Sequence, residues 1–333
     1  MAKIGVIGGG AFGTAMACVV RRAGNDVTMW AREAEVVESI NRDGENRAFL
    51  PGVAMVKGIV ATGNLEQAVR GMDFLLMVAP AQHQRSVAGQ LAPFLARGTP
   101  VVNCSKGVER GSCALMPEVL AEMLPGAVIA VLSGPSFARE IAVNLPCGVT
   151  LACADAAVRE VLCRHIGTDR FRTYRSFDLI GAAIGGVMKN VISIASGIVA
   201  GKKLGENARA TLITRGLVES TRLGVAKGAH PDTFLGLCGV GDLMLTSNSL
   251  QSRNTSLGVA IGEGRRAADV LASRKEVTEG AFSTEAVAQL AVKLGIDMPI
   301  TQTIDAVLNH GADLDASLTK LIHHPYHDEI EAG

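Results

Sequence analysis

The sequence predicts an α/β fold: a doubly wound parallel sheet at the N-terminus, followed by an all-helical C-terminal domain. Three observations carry that prediction. Short, almost continuously apolar runs alternate with helical patterns through the first half, as in a parallel sheet covered on both faces. A glycine-rich turn follows the first of those runs, at Gly8-Gly9-Gly10-Ala11-Phe12-Gly13. Beyond about Phe177 the strand signals stop and long helical periodicities take over.

Taken in order, Lys3–Ile7 reads as the first strand. The amphipathic stretch Ala11–Arg22 reads as the first helix, stopped by Gly24 as its C′ glycine. Asp26–Trp30 is the second strand and residues 33–42 the second helix. Apolar runs at 73–78, 101–104, 128–132 and 149–152 give further strands, with a helical pattern at 82–95 between them. The later helices are expected at 178–200, 207–224, 254–262, 265–273, 283–293 and 301–308. The chain of 333 residues is then two domains, 1–180 and 181–333, in keeping with a typical ~150 residues per domain.

Composition narrows the function classes. An apolar fraction of 48% with 19% charged residues excludes a disordered chain or a coiled coil. Lys+Arg and Asp+Glu both number 32, so bulk charge gives no attraction to nucleic acid or to an anionic membrane. Any anion must be held by a local site. The seven cysteines are Cys18, Cys104, Cys113, Cys147, Cys153, Cys163 and Cys238; none form a C-x-x-C pair, which reads as buried, inert thiols in a reducing compartment. No His/Cys/Asp/Glu cluster has ligand spacing, so no metal is expected. The start, Met-Ala-Lys, leads straight into a strand without a signal region, which points to the cytoplasm. His323, His324 and His327 in the tail read as a solvated terminus.

Leu179–Gly201 is long enough to cross a bilayer. Lys189 and Asn190 interrupt it at its centre, where a lysine costs ~2.5–3.5 kcal/mol. A buried helix of a soluble protein, without a membrane span, is the expectation. Its consequence is a lysine enclosed by an apolar helix, whose pKa desolvation lowers until the neutral amine is a competent general base. A lysine snorkelling from the helix edge is the plainer alternative.

Four further constellations carry chemistry. In the first turn, Gly8, Gly10 and Gly13 spell G-x-G-x-x-G between a strand and a helix, a Rossmann-type context that binds a dinucleotide. Gly8 permits the tight turn, Gly10 the approach of a pyrophosphate, and Gly13 the packing of helix on strand. After the second strand an acid would be expected on the ribose, but Arg32 stands there. Arginine suits the 2′-phosphate of NADP(H), Glu33 beside it keeps NAD(H) open, and a solvated helix-start charge is the alternative. Ser105-Lys106-Gly107 and Ser133-Gly134-Pro135-Ser136 each follow an apolar strand, where open α/β sheets bind ligands; Pro135 is expected at a helix N1 position. Finally, the glycine-rich stretch Gly236 to Gly241 leads as a loop to Asp242, then Thr246 and Ser252-Arg253-Asn254, a natural phosphate clamp.

The set GGGAFGTA, SKGVE, GPSFA, MKNV, GLCGVGDL and SRN, in this order, resembles bacterial NAD(P)-dependent glycerol-3-phosphate dehydrogenase over nearly the whole chain. The resemblance implies a Rossmann domain with a helical substrate domain, usually as a homodimer. It further implies interconversion of dihydroxyacetone phosphate and sn-glycerol 3-phosphate for glycerophospholipid synthesis. Lys189 then matches the proton-transfer residue. Lys106, Gly134, Ser136, Lys189, Asp242, Ser252, Arg253 and Asn254 match substrate contacts. Ala11, Phe12, Arg32, Lys106, Ala138, Arg253, Val277 and Glu279 match cofactor contacts. Family members often carry Ser-Trp in place of Ala11-Phe12 and Ala in place of Cys238. Two other functions stay open on the residues alone: a related two-domain hydroxyacid or hydroxyacyl dehydrogenase, and a non-catalytic dinucleotide sensor.

Overall fold

The computed structural model describes residues 1–273 and 279–324. Eight strands form one sheet: β1 (Lys3–Ile7), β2 (Asp26–Trp30), β3 (Ile59–Thr62), β4 (Phe74–Met77), β5 (Pro100–Asn103), β6 (Val128–Ser133), β7 (Cys147–Cys153) and β8 (Phe171–Ser176). Their spatial order is β3-β2-β1-β4-β5-β6-β7-β8. Helices α1 (Ala11–Arg22), α2 (Ala34–Asp43), α3 (Gln84–Leu91), α4 (Met116–Met123), α5 (Ala138–Ala142) and α6 (Ala156–Ile166) connect them. The first six strands run parallel in the doubly wound order, which places the β1–α1 turn beside the point where strand order reverses.

The sheet is mixed, not wholly parallel as the sequence suggests: β7 runs antiparallel to β6, and β8 follows β7 in parallel. Residues 134–146 carry only the five-residue α5. A helix that short covers ~7.5 Å, too little to travel back along β6 and restart in the same direction. The edge strands β3 and β8 gave no apolar run because much of each faces solvent: β3 alternates buried Ile59 and Ala61 with outward residues, and FRTYRS in β8 buries only Phe171. The expected helix at 82–95 is three pieces: 3₁₀ turns at Ala81–His83 and Ala92–Phe94 flank α3, the second carrying Pro93, which has no N–H to donate.

Beyond Ser176 every regular element among the described residues is helical: α7 (Leu179–Gly201), α8 (Glu206–Ala226), α9 (Asp242–Ser247), α10 (Arg253–Gly262), α11 (Ala267–Ala272), α12 (Glu279–Leu294), α13 (Pro299–Asn309) and α14 (Leu314–Ile322). The long apolar α7 is the core of this half, with 94% of its most apolar 18-residue window buried inside the protein. Ile184, Val187, Val191, Ile192, Ile194 and Ile198 are all buried on it, each stabilising the fold by ~1.5–3 kcal/mol. Its N-cap, Asp178, accepts from Gly181 N at 2.8 Å and binds His230 N and Thr233 Oγ1 at 2.9 and 2.7 Å, tying the start of α7 to the chain after α8.

The small residues of α7 decide where the site lies. A Cβ added to Gly197 would stand 2.9 Å from the Cα of Gly258, and one at Gly201 would stand 3.0 Å from that of Gly262. Helices α7 and α10 therefore cross backbone to backbone, which carries the start of α10 to the middle of α7. At Gly185 an added Cβ would strike the carbonyl of Cys238, so the glycine-rich stretch before Asp242 also lies directly on α7.

Candidate active site

The turn after β1 is built from backbone. Gly8 sits at φ 138°, with an added Cβ only 2.9 Å from the Val78 carbonyl carbon. At Gly13 a Cβ would run into the carbonyl oxygen of Gly8, so helix α1 can lie on its strand only with glycine there. Gly10 is the N-cap of α1; no side chain caps the helix, and a Cβ on Gly10 would meet nothing within 4 Å. The first N–H groups of α1, from Ala11 onward, are available to an anion. Asn46 fixes the turn: its Nδ2 donates to Gly9 O at 2.8 Å and to Thr14 Oγ1 at 2.7 Å, fully buried. Sequence reading missed Asn46, since it lies in an irregular polar stretch with no periodicity to mark it. Register pairs Ile7 with Trp30, which sets Arg32 just beyond the end of β2 and beside this turn. Its side chain is 75% exposed and bound to Glu33 Oε1 at 2.8 Å.

Beyond β5 the turn Ser105-Lys106-Gly107 is held by an amide chain that the sequence did not reveal. Gln84 Nε2 donates to Asn103 Oδ1 at 2.9 Å, Asn103 Nδ2 to Ser105 O at 3.0 Å, and Ser105 Oγ to Ala79 O at 2.5 Å. Lys106 then reaches across to the end of β6, donating to Gly134 O at 2.8 Å and Ser136 Oγ at 3.3 Å. Gly134 has φ 141° and packs against Val149 Cα, where a side chain has no place. Pro135 is not at a helix N1 position: α5 begins at Ala138 with Phe137 as its N-cap, because residues 134–137 first turn around Lys106.

The stretch before Asp242 is a turn of π-helix, Leu237–Gly241, running directly into α9 and not an open loop. Gly239 allows it, since a Cβ there would strike the carbonyl of Phe234. Asp242 is thereby buried at the start of α9, 1% exposed, with Oδ2 2.5 Å from Lys106 Nζ and Oδ1 3.8 Å from Lys189 Nζ. Thr246 Oγ1 donates to the same carboxylate at 3.3 Å. One carboxylate thus serves two lysines drawn from different halves of the chain.

Burial dominates the electrostatics of Lys189. It lowers the amine's pKa to about 8; Asp242 and Glu279 oppose that shift, while Lys106 and Arg253 add to it. The carboxyl of Glu279, at the start of α12, is pushed up by burial, against the Ala81 N–H, Arg253 and the two lysines, which favour its charged form. Ala81 N donates to Glu279 at 3.4 Å.

Ser252 is the N-cap of α10, its Oγ accepting from Thr255 N at 3.2 Å. Arg253 and Asn254 follow in the first turn. Asn254 Nδ2 donates to Asn190 Oδ1 at 2.8 Å, and Asn190 Nδ2 donates to Lys106 O at 3.2 Å, so the Ser-Arg-Asn triplet is bridged to the Lys106 backbone through the residue that follows Lys189. The buried Asn254 Oδ1 and Ser133 Oγ have no hydrogen-bond partner. Lys106, Gly134, Ser136, Lys189, Asp242 and Asn254 thus converge. Val277 lies outside the described residues.

Two lysines facing one buried carboxylate leave the group short of negative charge whenever both are protonated, so it favours an anionic ligand. A lysine that titrates near neutrality can take or give a proton within that setting.

A family model described as the NAD-dependent glycerol-3-phosphate dehydrogenase N-terminus matches residues 3–159, and the corresponding C-terminus model matches residues 178–319. A glycerol-3-phosphate dehydrogenase (NAD(P)+) from Parvibaculum lavamentivorans is 53% identical over 98% of each chain. One from Caulobacter vibrioides is 52% identical over the same shares. The crystal structure of a glycerol-3-phosphate dehydrogenase from Coxiella burnetii aligns with a TM-score of 0.92 at 36% identity, covering 97% of this chain and 99% of that one.

Proposed function

The chain belongs to the NAD-dependent glycerol-3-phosphate dehydrogenase family, and from that premise we propose that its catalytic centre is the buried group of Lys189, Lys106 and Asp242. It is an oxidoreductase that interconverts dihydroxyacetone phosphate and sn-glycerol 3-phosphate with NAD(P)(H) as cofactor.

The turn after β1 fits such a cofactor. Gly10 leaves open the space that a Cβ would fill, and the uncapped start of α1 offers N–H donors to a pyrophosphate. Gly8, Gly10, Ala11, Phe12 and Gly13 would hold it there, with Arg32 at the adenosine end and Lys106, Ala138, Arg253 and Glu279 toward the substrate. When bound, the cofactor supplies or removes the hydride at substrate C2. The protein's own part is the proton. In oxidation the neutral amine of Lys189 accepts the C2-hydroxyl proton, and in reduction its ammonium form protonates the oxygen. A pKa near 8 keeps both forms populated.

Asp242 holds Lys106 firmly and Lys189 more loosely, at 2.5 and 3.8 Å, so it orients the first and leaves the second free to exchange its proton. Arg253, with Asn254 and Ser252 at the start of α10, grips the phosphate through a guanidinium and helix-terminal N–H groups. Lys106, Gly134 and Ser136 close the other side. Fixing a three-carbon substrate at its phosphate places C2 beside Lys189, and positioning of this kind lowers a barrier by several kcal/mol, up to ~7–11.

On this reading residues 1–180 form the cofactor domain and 181–333 the substrate domain. The protein works as a cytoplasmic homodimer that supplies glycerol 3-phosphate for glycerophospholipid synthesis. The observation that carries the reading is the enclosed lysine beside a shared carboxylate. Its test is a spectrophotometric assay of dihydroxyacetone phosphate reduction with NADPH and NADH side by side. Turnover with this substrate and none with hydroxyacids or hydroxyacyl thioesters is expected. Binding of NADPH with no turnover of any of them would instead favour a sensor.

A further inference from the structure

A short hairpin begins two residues after Lys106, closed by a bridge between Val108 and Leu115. It docks on α12, where Arg110 pairs with Glu285 at 2.6 Å and lies over the Phe282 ring. Beneath it Cys113 is buried, 3% exposed, with φ 61°. That left-handed conformation is uncommon for a residue with a side chain, and it survives where its surroundings fix it. Here Cys113 N bonds Glu109 O at 3.0 Å, and Glu109 N bonds Ala114 O at 2.9 Å.

The result is that Sγ points at α12. The thiol donates to Gln289 Oε1 at 3.7 Å, and Lys293 Nζ lies 3.3 Å from Sγ. The thiols of Cys104, Cys147 and Cys238 meet backbone carbonyls instead. Gln289 and Lys293 also line an open cleft of about 470 Å³ with Gln302, Asp305 and His310, so small solutes reach the Lys293 amine while Cys113 lies buried behind it.

We propose that Cys113 and Lys293 form an oxidation-sensitive covalent site, in which dioxygen joins Sγ to Nζ through a single oxygen atom and staples the hairpin to α12. Lys293 first loses its ammonium proton to water. One atom of dioxygen then enters the S–O–N bridge. The other leaves as water, carrying the thiol hydrogen and one amine hydrogen. Sulfur and nitrogen each give up two electrons, and dioxygen takes all four. The flexible stem of Lys293 lets Nζ close the remaining gap, and a thiol reductant returns thiol, amine and water.

The test is mass spectrometry of the full chain held in oxygenated buffer. Wild type gains about 14 Da, one oxygen less two hydrogens, whereas unbridged thiol oxidation adds about 16 Da per oxygen. The tryptic peptides bearing Cys113 and Lys293 become linked, and dithiothreitol separates them. Lys293→Gln, at an exposed position, and Cys113→Ser each abolish the linked species. Unlinked peptides from oxygenated wild type, or the same linked mass in Lys293→Gln, would overturn the proposal.

Discussion

The turn at residues 8–13 and the group around Lys189 both border the carboxyl edge of the sheet, yet they are made of different material. The turn presents backbone, and its defining feature is the side chains it lacks: Gly13 yields to the Gly8 carbonyl and Gly10 faces open space. The lysine group presents side chains, gathered from the turn after β5, the end of β6, the middle of α7, and the start of α9. A backbone site loses little when one nearby side chain is removed. A buried charge group loses its balance when any member goes, because the remaining charge is left uncompensated.

That contrast orders the expected effects of substitution. Lys189→Met should be the most damaging, lowering kcat by ~10²–10⁴-fold while NADPH binding stays intact. Steady-state kinetics with a cofactor titration would show it. Retention of most activity would remove Lys189 from proton transfer.

Arg253→Ala comes next. It removes charge-assisted hydrogen bonds worth ~1.5–3 kcal/mol each, and kcat/KM for the phosphorylated substrate should drop about 10²-fold. The loss should divide between a higher KM and a lower kcat, since the grip also orients. Unchanged kinetics would move the phosphate to Lys106.

At the turn, the smallest effect is expected from Arg32→Ala. Wild type should favour NADPH by about tenfold, at the low end because Arg32 is 75% exposed and screened by salt. The substitution should erase most of that gap by weakening NADPH alone. Equal weakening of both cofactors would make Arg32 a helix-start charge only.

The same contrast explains how much was legible in the sequence. The glycine turn is local, so six consecutive residues directly after the first strand carried turn and helix start, and Ala11–Arg22 lies where periodicity put it. Lys189 was legible because a lysine inside an apolar helix is out of place. What stayed hidden was non-local. Nothing in the sequence brings Asn46 to Gly9, or Gln84 to Asn103, since those bonds exist only once the chain has folded. The antiparallel β7 was hidden for a related reason: its apolar run marks a strand but carries no direction, and the shortness of α5 sets that direction. The use of the α7 glycines as a close crossing with α10 was hidden as well, since it exists only once the partner helix is in place.

The proposed mechanism rests on proton exchange by Lys189, its pKa lowered to about 8 by burial. The direct measurement is the pH dependence of kcat/KM in both reaction directions, between about pH 6 and 10. Oxidation of glycerol 3-phosphate needs the neutral amine, so its rate should climb with pH and level off above about 8. Reduction of dihydroxyacetone phosphate needs the ammonium, so its rate should hold at low pH and fall above the same point. Opposed profiles that cross near that pH, and vanish in Lys189→Met, are the predicted result. Flat profiles, or two that move in the same direction, would contradict it.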